Sequence, residues 1–291
     1  MFRGLVFSCL HYSETPPIMR KDNYGDLILK KLEKIFKTAY AYEANPICLG
    51  DVFHRKHGTT IREINKIIET IGDRQMYGIL GNHDCQGYNI NLDTIPMGIL
   101  IKTKRYVLVK RLVLEDVVIT GESYHSNYEV PETYSVQEND CNFHIHLTHG
   151  MLTNSNLPYS ATNVKDIEVN ADVLFNGHNH RTWVDEERGI YNVGSIARVA
   201  MNENEINKTP CVFLIEVNGK NNYKVTPIEI PCEEDVWSKE IKRSTMSAED
   251  VEKFAKGIKE MELGSDSSAL EKILENESSE VKKKVYSYLG E

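Results

Sequence analysis

Apolar residues fall into two rhythms along this chain, and the rhythms alternate. Short runs such as Leu5-Val6-Phe7, Ile47-Cys48-Leu49 and Met76-Tyr77-Gly78-Ile79-Leu80 are apolar on both faces, the pattern of strands buried between two layers. Between them lie stretches with helical spacing. Ile28, Leu32, Ile35, Phe36 and Ala39 share one face, as do Ile61, Ile64, Ile67, Ile68 and Ile71 behind a cap at Thr59 or Thr60. This alternation predicts a parallel sheet with helices packed on it. From residue 106 onward strands follow strands. Runs 106–109 and 117–120 are expected to form an antiparallel pair, followed by 143–147, 172–175 and 190–193. Val212 to Val217 and Tyr223 to Ile230 flank Asn218-Gly219, a hairpin signal. After Pro231 the pattern turns charged and helical. Ser247 with Asp250 and Ser268 with Glu271 read as helix starts, and Val281, Val285 and Leu289 as one stripe of a last helix. An α/β domain is expected over 1–231 and a helical appendage over 232–291.

Composition narrows the class. A formal charge of -9 argues against coating nucleic acid by bulk electrostatics. It leaves room for a nucleic-acid enzyme, because bound cations attract phosphate locally. Six cysteines without a CxxC pair indicate neither a zinc ribbon nor a disulfide framework. Met1 to Leu10 is too short for a signal segment, and no run reaches transmembrane length. A cytoplasmic protein away from membranes is expected.

The chemistry sits where the apolar runs end. Cys9-Leu10-His11, Gly50-Asp51-Val52-Phe53-His54, Gly81-Asn82-His83-Asp84, His149-Gly150 and Gly177-His178-Asn179-His180 each follow such a run. In open α/β sheets, ligands gather at the carboxyl ends of strands. Imidazoles, carboxylates and an amide from five places therefore predict one metal site. Two divalent cations about 4 Å apart can clamp a phosphate and activate water against it. Asp51 has two acceptor oxygens and is the natural bridge between them.

In this order, the five motifs resemble those of calcineurin-like metallophosphoesterases. The resemblance spans roughly residues 4–230 and implies a sandwich of two mixed β-sheets flanked by helices. It also implies ligand sets. Cys9, His11, Asp51 and His180 would hold one ion, and Asp51, Asn82, His149 and His178 the other. His83 would contact the phosphate and protonate the leaving oxygen, with Asp84 orienting it. Gly50 to His54, and the stretch Ile190-Tyr191-Asn192-Val193-Gly194-Ser195-Ile196-Ala197-Arg198, resemble the SbcD-like DNA repair nucleases. That branch often carries a His at the position of His54, close to the substrate phosphate. It implies a DNA phosphodiester substrate, manganese, a homodimer and an SbcC-like ATPase partner.

Cys9 departs from the pattern, since the family usually has Asp there. It is either a buried packing residue or a thiolate ligand that favours zinc or ferrous iron. A weakened first site is a third reading. Lariat-debranching enzymes also have Cys at this place, so a 2',5'-phosphodiester is the runner-up substrate. They typically read GNHE where this chain has GNHD. A cyclic-nucleotide or small-molecule diester is a further alternative, and a non-catalytic scaffold the plainest one. Lys102, Lys104, Arg105, Lys110 and Arg111 are expected on a solvated edge. Arg55, Lys56 and His57, just past the second motif, are better placed for phosphate. His125, His144 and His146 read as packing or surface residues.

Overall fold

A computed structural model describes residues 1–55, 58–85, 90–126, 128–138, 141–155, 161–201, 203–231 and 236–237. In chain order the elements begin with β1 (Phe2–Phe7), α1 (Tyr24–Ala41), β2 (Asn45–Cys48), α2 (Ile61–Ile71), β3 (Met76–Gly78), α3 (Pro96–Lys102) and β4 (Tyr106–Leu108). Then follow β5 (Arg111–Leu114), β6 (Val117–Gly121), β7 (Phe143–Thr148), β8 (Leu152–Thr153), β9 (Thr162–Asn163) and β10 (Val173–Asn176). The last are β11 (Trp183–Asp185), β12 (Ile190–Asn192), α4 (Glu203–Ile206), β13 (Cys211–Val217) and β14 (Tyr223–Glu229).

Two six-stranded mixed sheets result. The first runs β14-β13-β1-β2-β3-β4, and the second β11-β12-β10-β7-β6-β5. Within each, the strands that end in candidate ligands run parallel. Phe7, Cys48 and Gly78 lie in register, as do Thr148 and Asn176. Those motifs therefore leave their sheets at a common edge. Val6, Ile47, Leu49 and Ile79 of the first sheet pack with Ile119, Ile145, Leu147 and Phe175 of the second. This explains why both sets read as continuous apolar runs. The opposite face of the first sheet is covered by Ile28, Leu32, Ile35 and Phe36 of α1 and by Ile64, Ile67 and Ile71 of α2. Thr60 caps α2, with its hydroxyl and Glu63 exchanging hydrogen bonds in a capping box.

One expected pairing is corrected. Residues 106–109 do not pair with 117–120. β4 joins the first sheet parallel to β3, and β5 takes the place beside β6. The chain changes sheets at Val109-Lys110. The Val109 N–H donates to the Gly78 carbonyl at 2.7 Å, while the Lys110 carbonyl accepts from Gly121 at 3.1 Å. The buried Tyr106 hydroxyl donates to the Ile79 carbonyl at 2.5 Å and holds β4 in the first sheet.

The expected helices beyond residue 240 lie outside the described residues. Past Pro231, Val236 and Trp237 lie within a compact unit spanning Met1–Ser238. The Lys21 N–H donates to the Val236 carbonyl at 3.0 Å, and the Arg20 guanidinium stands 5.3 Å from the Trp237 ring centre. Among the described residues, no helix is long and apolar enough to cross a membrane.

Candidate metal centre

The motifs turn sharply as they leave the strands. Cys9 (φ 53°), His11 (φ 46°), Asp51 (φ 55°) and His178 (φ 66°) all lie in the left-handed region. Such conformations cost about 1–3 kcal/mol each for residues other than glycine. Burying one Leu or Ile side chain contributes a comparable amount, roughly 1.5–3 kcal/mol. The apolar strands below the site offset the strain and hold it in place. Gly81 is needed for close approach, because a Cβ there would run into the Asp51 carboxylate.

The side chains converge. His11 Nε2 lies 3.0 Å from His180 Nε2 and 3.6 Å from Asp51 Oδ2. His149 Nε2 lies 3.2 Å from the same Asp51 oxygen and 3.3 Å from Asn82 Oδ1. Ligand atoms of Cys9, His11 and His180 fall within 4.8 Å of one another, as do those of Cys9, Asp51 and His149, and of His11, His54 and His83. The His178 ring lies 5.2 Å from that of His149. A cleft of about 620 Å³ opens above, with His11, Asp51, His54, His83, His178 and His180 in its lining.

Hydrogen bonding tests whether these residues suit a cation. His149 Nδ1 is 2.5 Å from the Leu49 carbonyl, which only accepts, so Nδ1 carries a proton. In the neutral ring, Nε2 is then a lone pair facing a carboxylate oxygen and an amide oxygen. Three Lewis bases thus converge with no proton between them. At His180, Nδ1 is 3.3 Å from Glu205 Oε1, and Nε2 faces His11 Nε2, which can meet it with the His11 ring proton or share a cation with it. His11 Nδ1 is buried with no hydrogen-bond partner. A divalent cation would be met by lone pairs in both clusters once those protons leave, so the donor set fits a metal.

Without a metal, the electrostatics favour the ligand form at His178 and the proton-bearing form at His149 and Cys9. Burial, and then the neighbouring His149, push His178 down to about 3, leaving a neutral imidazole. Burial also lowers His149, but the Asp51 charge and hydrogen bond outweigh it and raise the group above its ordinary value. Burial first, and the Asp51 charge second, hold the Cys9 thiol well above the ordinary range. Its Sγ lies 3.1 Å from Ser8 Oγ.

The residues of the Gly81-Asn82-His83-Asp84 turn divide their work. The Asp84 carboxylate accepts from the N–H groups of Asp51 at 2.7 Å, Val52 at 3.0 Å and Gly81 at 3.1 Å. Burial and the Asp51 charge push Asp84 up to about 7, against the pull of backbone N–H groups. The His83 ring is held by the His54 carbonyl, 2.5 Å from Nδ1, and the His83 N–H donates to Asp51 Oδ1 at 2.7 Å. The orienting contact expected from Asp84 is thus made by the backbone of His54, while Asp84 shapes the Asp51 turn.

Other residues fall outside the centre. His144 Nε2 and His146 Nδ1 share the Thr120 hydroxyl at 2.7 and 2.8 Å, buried in the second sheet. Arg55 is bonded to Glu63 at 2.8 Å, and Lys56 and His57 lie outside the described residues. In the basic stretch, Lys102 pairs with Asp93, and Arg111 with Glu138 at 3.1 Å. The sequence reading missed Glu205, Lys208 and Asn176. Asn176 sits at the end of β10 and bonds to Gly150, Gly177 and Asn192. Its place just before Gly177 was the one available signal.

The domain profile of the calcineurin-like phosphoesterase superfamily matches residues 3–219, and the chain belongs to that superfamily. No curated protein matches it. Among solved structures, a hypothetical protein from Thermus thermophilus is similar at 12% identity with a TM-score of 0.45, covering 79% of this chain and 100% of its own. A conserved uncharacterized protein from Streptococcus pneumoniae, described as a predicted phosphoesterase, is similar at 12% identity with a TM-score of 0.29, covering 78% and 99%.

Proposed function

We propose that this phosphoesterase hydrolyses phosphodiester bonds, with DNA as substrate in the manner of the SbcD-like nucleases. His83 is the observation that carries the reading. Its Nδ1 is committed to the His54 carbonyl, and its N–H to Asp51. That leaves Nε2 as the ring nitrogen free to serve the cleft, beside the acidic residue that would bridge two cations. A proton held there is placed to pass to the leaving alkoxide, which a diester requires for an unactivated alcohol. Cys9, His11, Asp51 and His180 would hold one ion, and Asp51, Asn82, His149 and His178 the other. Bound there, the cations supply charge stabilisation to the phosphoryl oxygens. Asp51 spans both sets, Asp84 fixes the turn that presents it, and the His54 ring lines the cleft where a phosphate would sit. The left-handed backbone at Cys9 favours a ligand over a packing residue, and a thiolate favours zinc or ferrous iron over manganese.

A smaller diester is the second reading, favoured by the cleft. Its volume suits a nucleotide-sized ligand. Arg181 supplies the Lys or Arg side chain of its described lining, where a duplex would be met by several. The deciding experiment screens purified protein with Mn, Mg, Zn and ferrous iron against DNA ends, branched RNA, cyclic nucleotides and a chromogenic diester. Turnover of DNA supports the first reading, and turnover of small diesters alone replaces it. An ATPase partner or a second copy would be met by residues 232–291. Because Val236 and Trp237 pack on the metal-bearing unit, truncation belongs after Ser238. Such a protein should keep small-diester hydrolysis and lose partner binding. Cys9, Cys48, Cys141 and Cys211 form no disulfide, which accords with a reducing, cytoplasmic setting.

A further inference from the structure

We infer that Glu205 and Lys208 form a buried ion pair that positions the ligands of the first metal from outside its coordination shell. The inference rests on reading the site as a two-metal centre. Both side chains are withdrawn from solvent, at 5% and 8% exposure, and meet at 3.1 Å. Neither belongs to the five motifs.

Glu205 reaches a ligand directly, and Lys208 acts one contact further back. Glu205 Oε1 stands 3.3 Å from His180 Nδ1. A carboxylate only accepts, so it fixes the proton on Nδ1 and presents Nε2 as a lone pair. That is the nitrogen facing His11 at 3.0 Å. The other Glu205 oxygen accepts from the Val199 N–H at 3.0 Å, which ties the carboxylate to the segment after β12. Lys208 works on the same segment. Its ammonium donates to Ser195 Oγ at 2.8 Å and to the Ala197 carbonyl at 2.9 Å. With Glu205 these use all three of its donors, so Lys208 has no proton left for a substrate phosphate.

The segment it holds is stitched to the first motif. The Ile196 N–H donates to the Ser8 carbonyl at 3.0 Å, and the Ala197 N–H to the Cys9 carbonyl at 3.2 Å. Ile196, Ala197 and Glu205 therefore touch both flanks of the first site, His180 through a side chain and Cys9 through its backbone. The contacts of the pair named here, to His180, Ser195, Ala197 and Val199, lie on the side of the first site. In the second site, His149 is oriented by the Leu49 carbonyl. The pair should act on one metal and spare the other.

The test is metal titration of the full chain, by calorimetry and by metal analysis after dialysis, using zinc and manganese. Wild type should bind two ions. Glu205→Gln should weaken one site about 10- to 100-fold and leave the other at its wild-type affinity. The double variant Glu205→Gln with Lys208→Met removes both charges together. It should recover thermal stability lost in the single variant but not the lost affinity, which a purely structural pair would restore. Wild-type affinity at both sites in a folded Glu205→Gln protein would overturn the inference while leaving the two-metal reading intact. Wild type that binds no metal would overturn both. Should the variants not fold, nitrogen-15 NMR of zinc-loaded wild type decides. His180 coordinated through Nε2 with a proton on Nδ1 supports the pairing, and coordination through Nδ1 rejects it.

Discussion

The two halves of the site are held by different chemistry. The half delivered by β1, β2 and β3 is braced by carboxylates. Asp84 gathers the backbone N–H groups of the Asp51 turn, and Glu63 gathers the chain around the first and second motifs. The half delivered by β7 and β10 is braced by carboxamides. Asn176 Oδ1 accepts from the Thr148 hydroxyl at 2.8 Å and the Gly150 N–H at 3.1 Å, while its Nδ2 donates to Gly177 and Asn192. Asn192 in turn donates to the Asn179 carbonyl at 2.8 Å. A carboxylate collects several donors at once and adds charge. An amide gives and accepts without charge, and so sits beside imidazoles without biasing their protonation. The Glu63 brace can therefore be loosened by acid, whereas the carboxamide brace takes up no proton over the same range.

Asp51 joins the halves, and its loss is expected to have the largest effect. Asp51→Asn keeps the shape but offers one neutral acceptor oxygen. Metal should leave both sites and diester hydrolysis should fall by about a thousandfold or more, as several kcal/mol of charge stabilisation are lost. Metal analysis of the purified variant checks this, and full occupancy of both sites would reject the bridging role. His83→Ala comes next. Activity should fall roughly 10²–10⁴-fold with metal content unchanged, because the ring is assigned to proton transfer and not to coordination. The loss should shrink with a nitrophenyl leaving group, which departs without a proton. A missing metal in this variant would show that His83 is a ligand.

Two substitutions sharpen the contrast between ligand and brace. Cys9→Ala should empty the first site and spare the second, whereas Cys9→Asp should move preference from zinc towards manganese and magnesium. Unchanged stoichiometry and preference in Cys9→Ala would make Cys9 a packing residue and remove the likeness to lariat debranching. Asn176→Ala leaves several buried donors and acceptors unpaired, at about 1–3 kcal/mol each. Its thermal midpoint should fall by several degrees, at about 2–4 °C per kcal/mol for a domain of this size. A shift under one degree would show that water replaces the amide without cost.

What was legible in the sequence follows from how local each signal is. The turns that carry the candidate ligands could be read because apolar strands run straight into Asp51, Asn82, His149 and His178. The α2 start at Thr60 was equally local, since Glu63 lies one turn away. The sheet change at Val109-Lys110 was not legible, because β4 and β5 are short and separated by two residues. The reach of Tyr106 to Ile79 and of Val109 to Gly78 separates them. Glu205 was invisible for another reason. It meets His180 across 25 residues of chain, and no periodicity marks a contact of that kind. Even within a motif, residue type identified Asp84 as important without saying whether it serves His83 or the Asp51 turn.

The smallest expected effect concerns acid and Glu63, and it isolates the carboxylate brace. Glu63 accepts from the N–H groups of Thr60 at 2.7 Å and Glu14 at 2.9 Å, from the Ser13 hydroxyl at 3.1 Å and from Arg55 at 2.8 Å. Burial acts to raise this carboxyl, but the backbone N–H groups of Thr60 and Glu14 and the Arg55 guanidinium outweigh it and bring it down to about 2. The folded value lies below the unfolded one, so the ionised form stabilises the fold. That contribution is full above about pH 4.5 and is lost as pH falls from there through about 2. A drop of 2.5 units corresponds to at most about 3 kcal/mol at 1.36 kcal/mol per unit. Arg55, which is partly exposed, makes the realised figure smaller through solvent screening. Denaturant midpoints of the metal-free protein between pH 5 and pH 2 should show this decline. Glu63→Gln should start lower and flatten the curve over the same window, while Asn176→Ala should lower it in parallel at every pH. A Glu63→Gln curve parallel to wild type would mean that its carboxylate stays bonded to nothing that depends on charge, and the contrast between a titratable carboxylate brace and a non-titratable carboxamide brace would fail at its first-motif end.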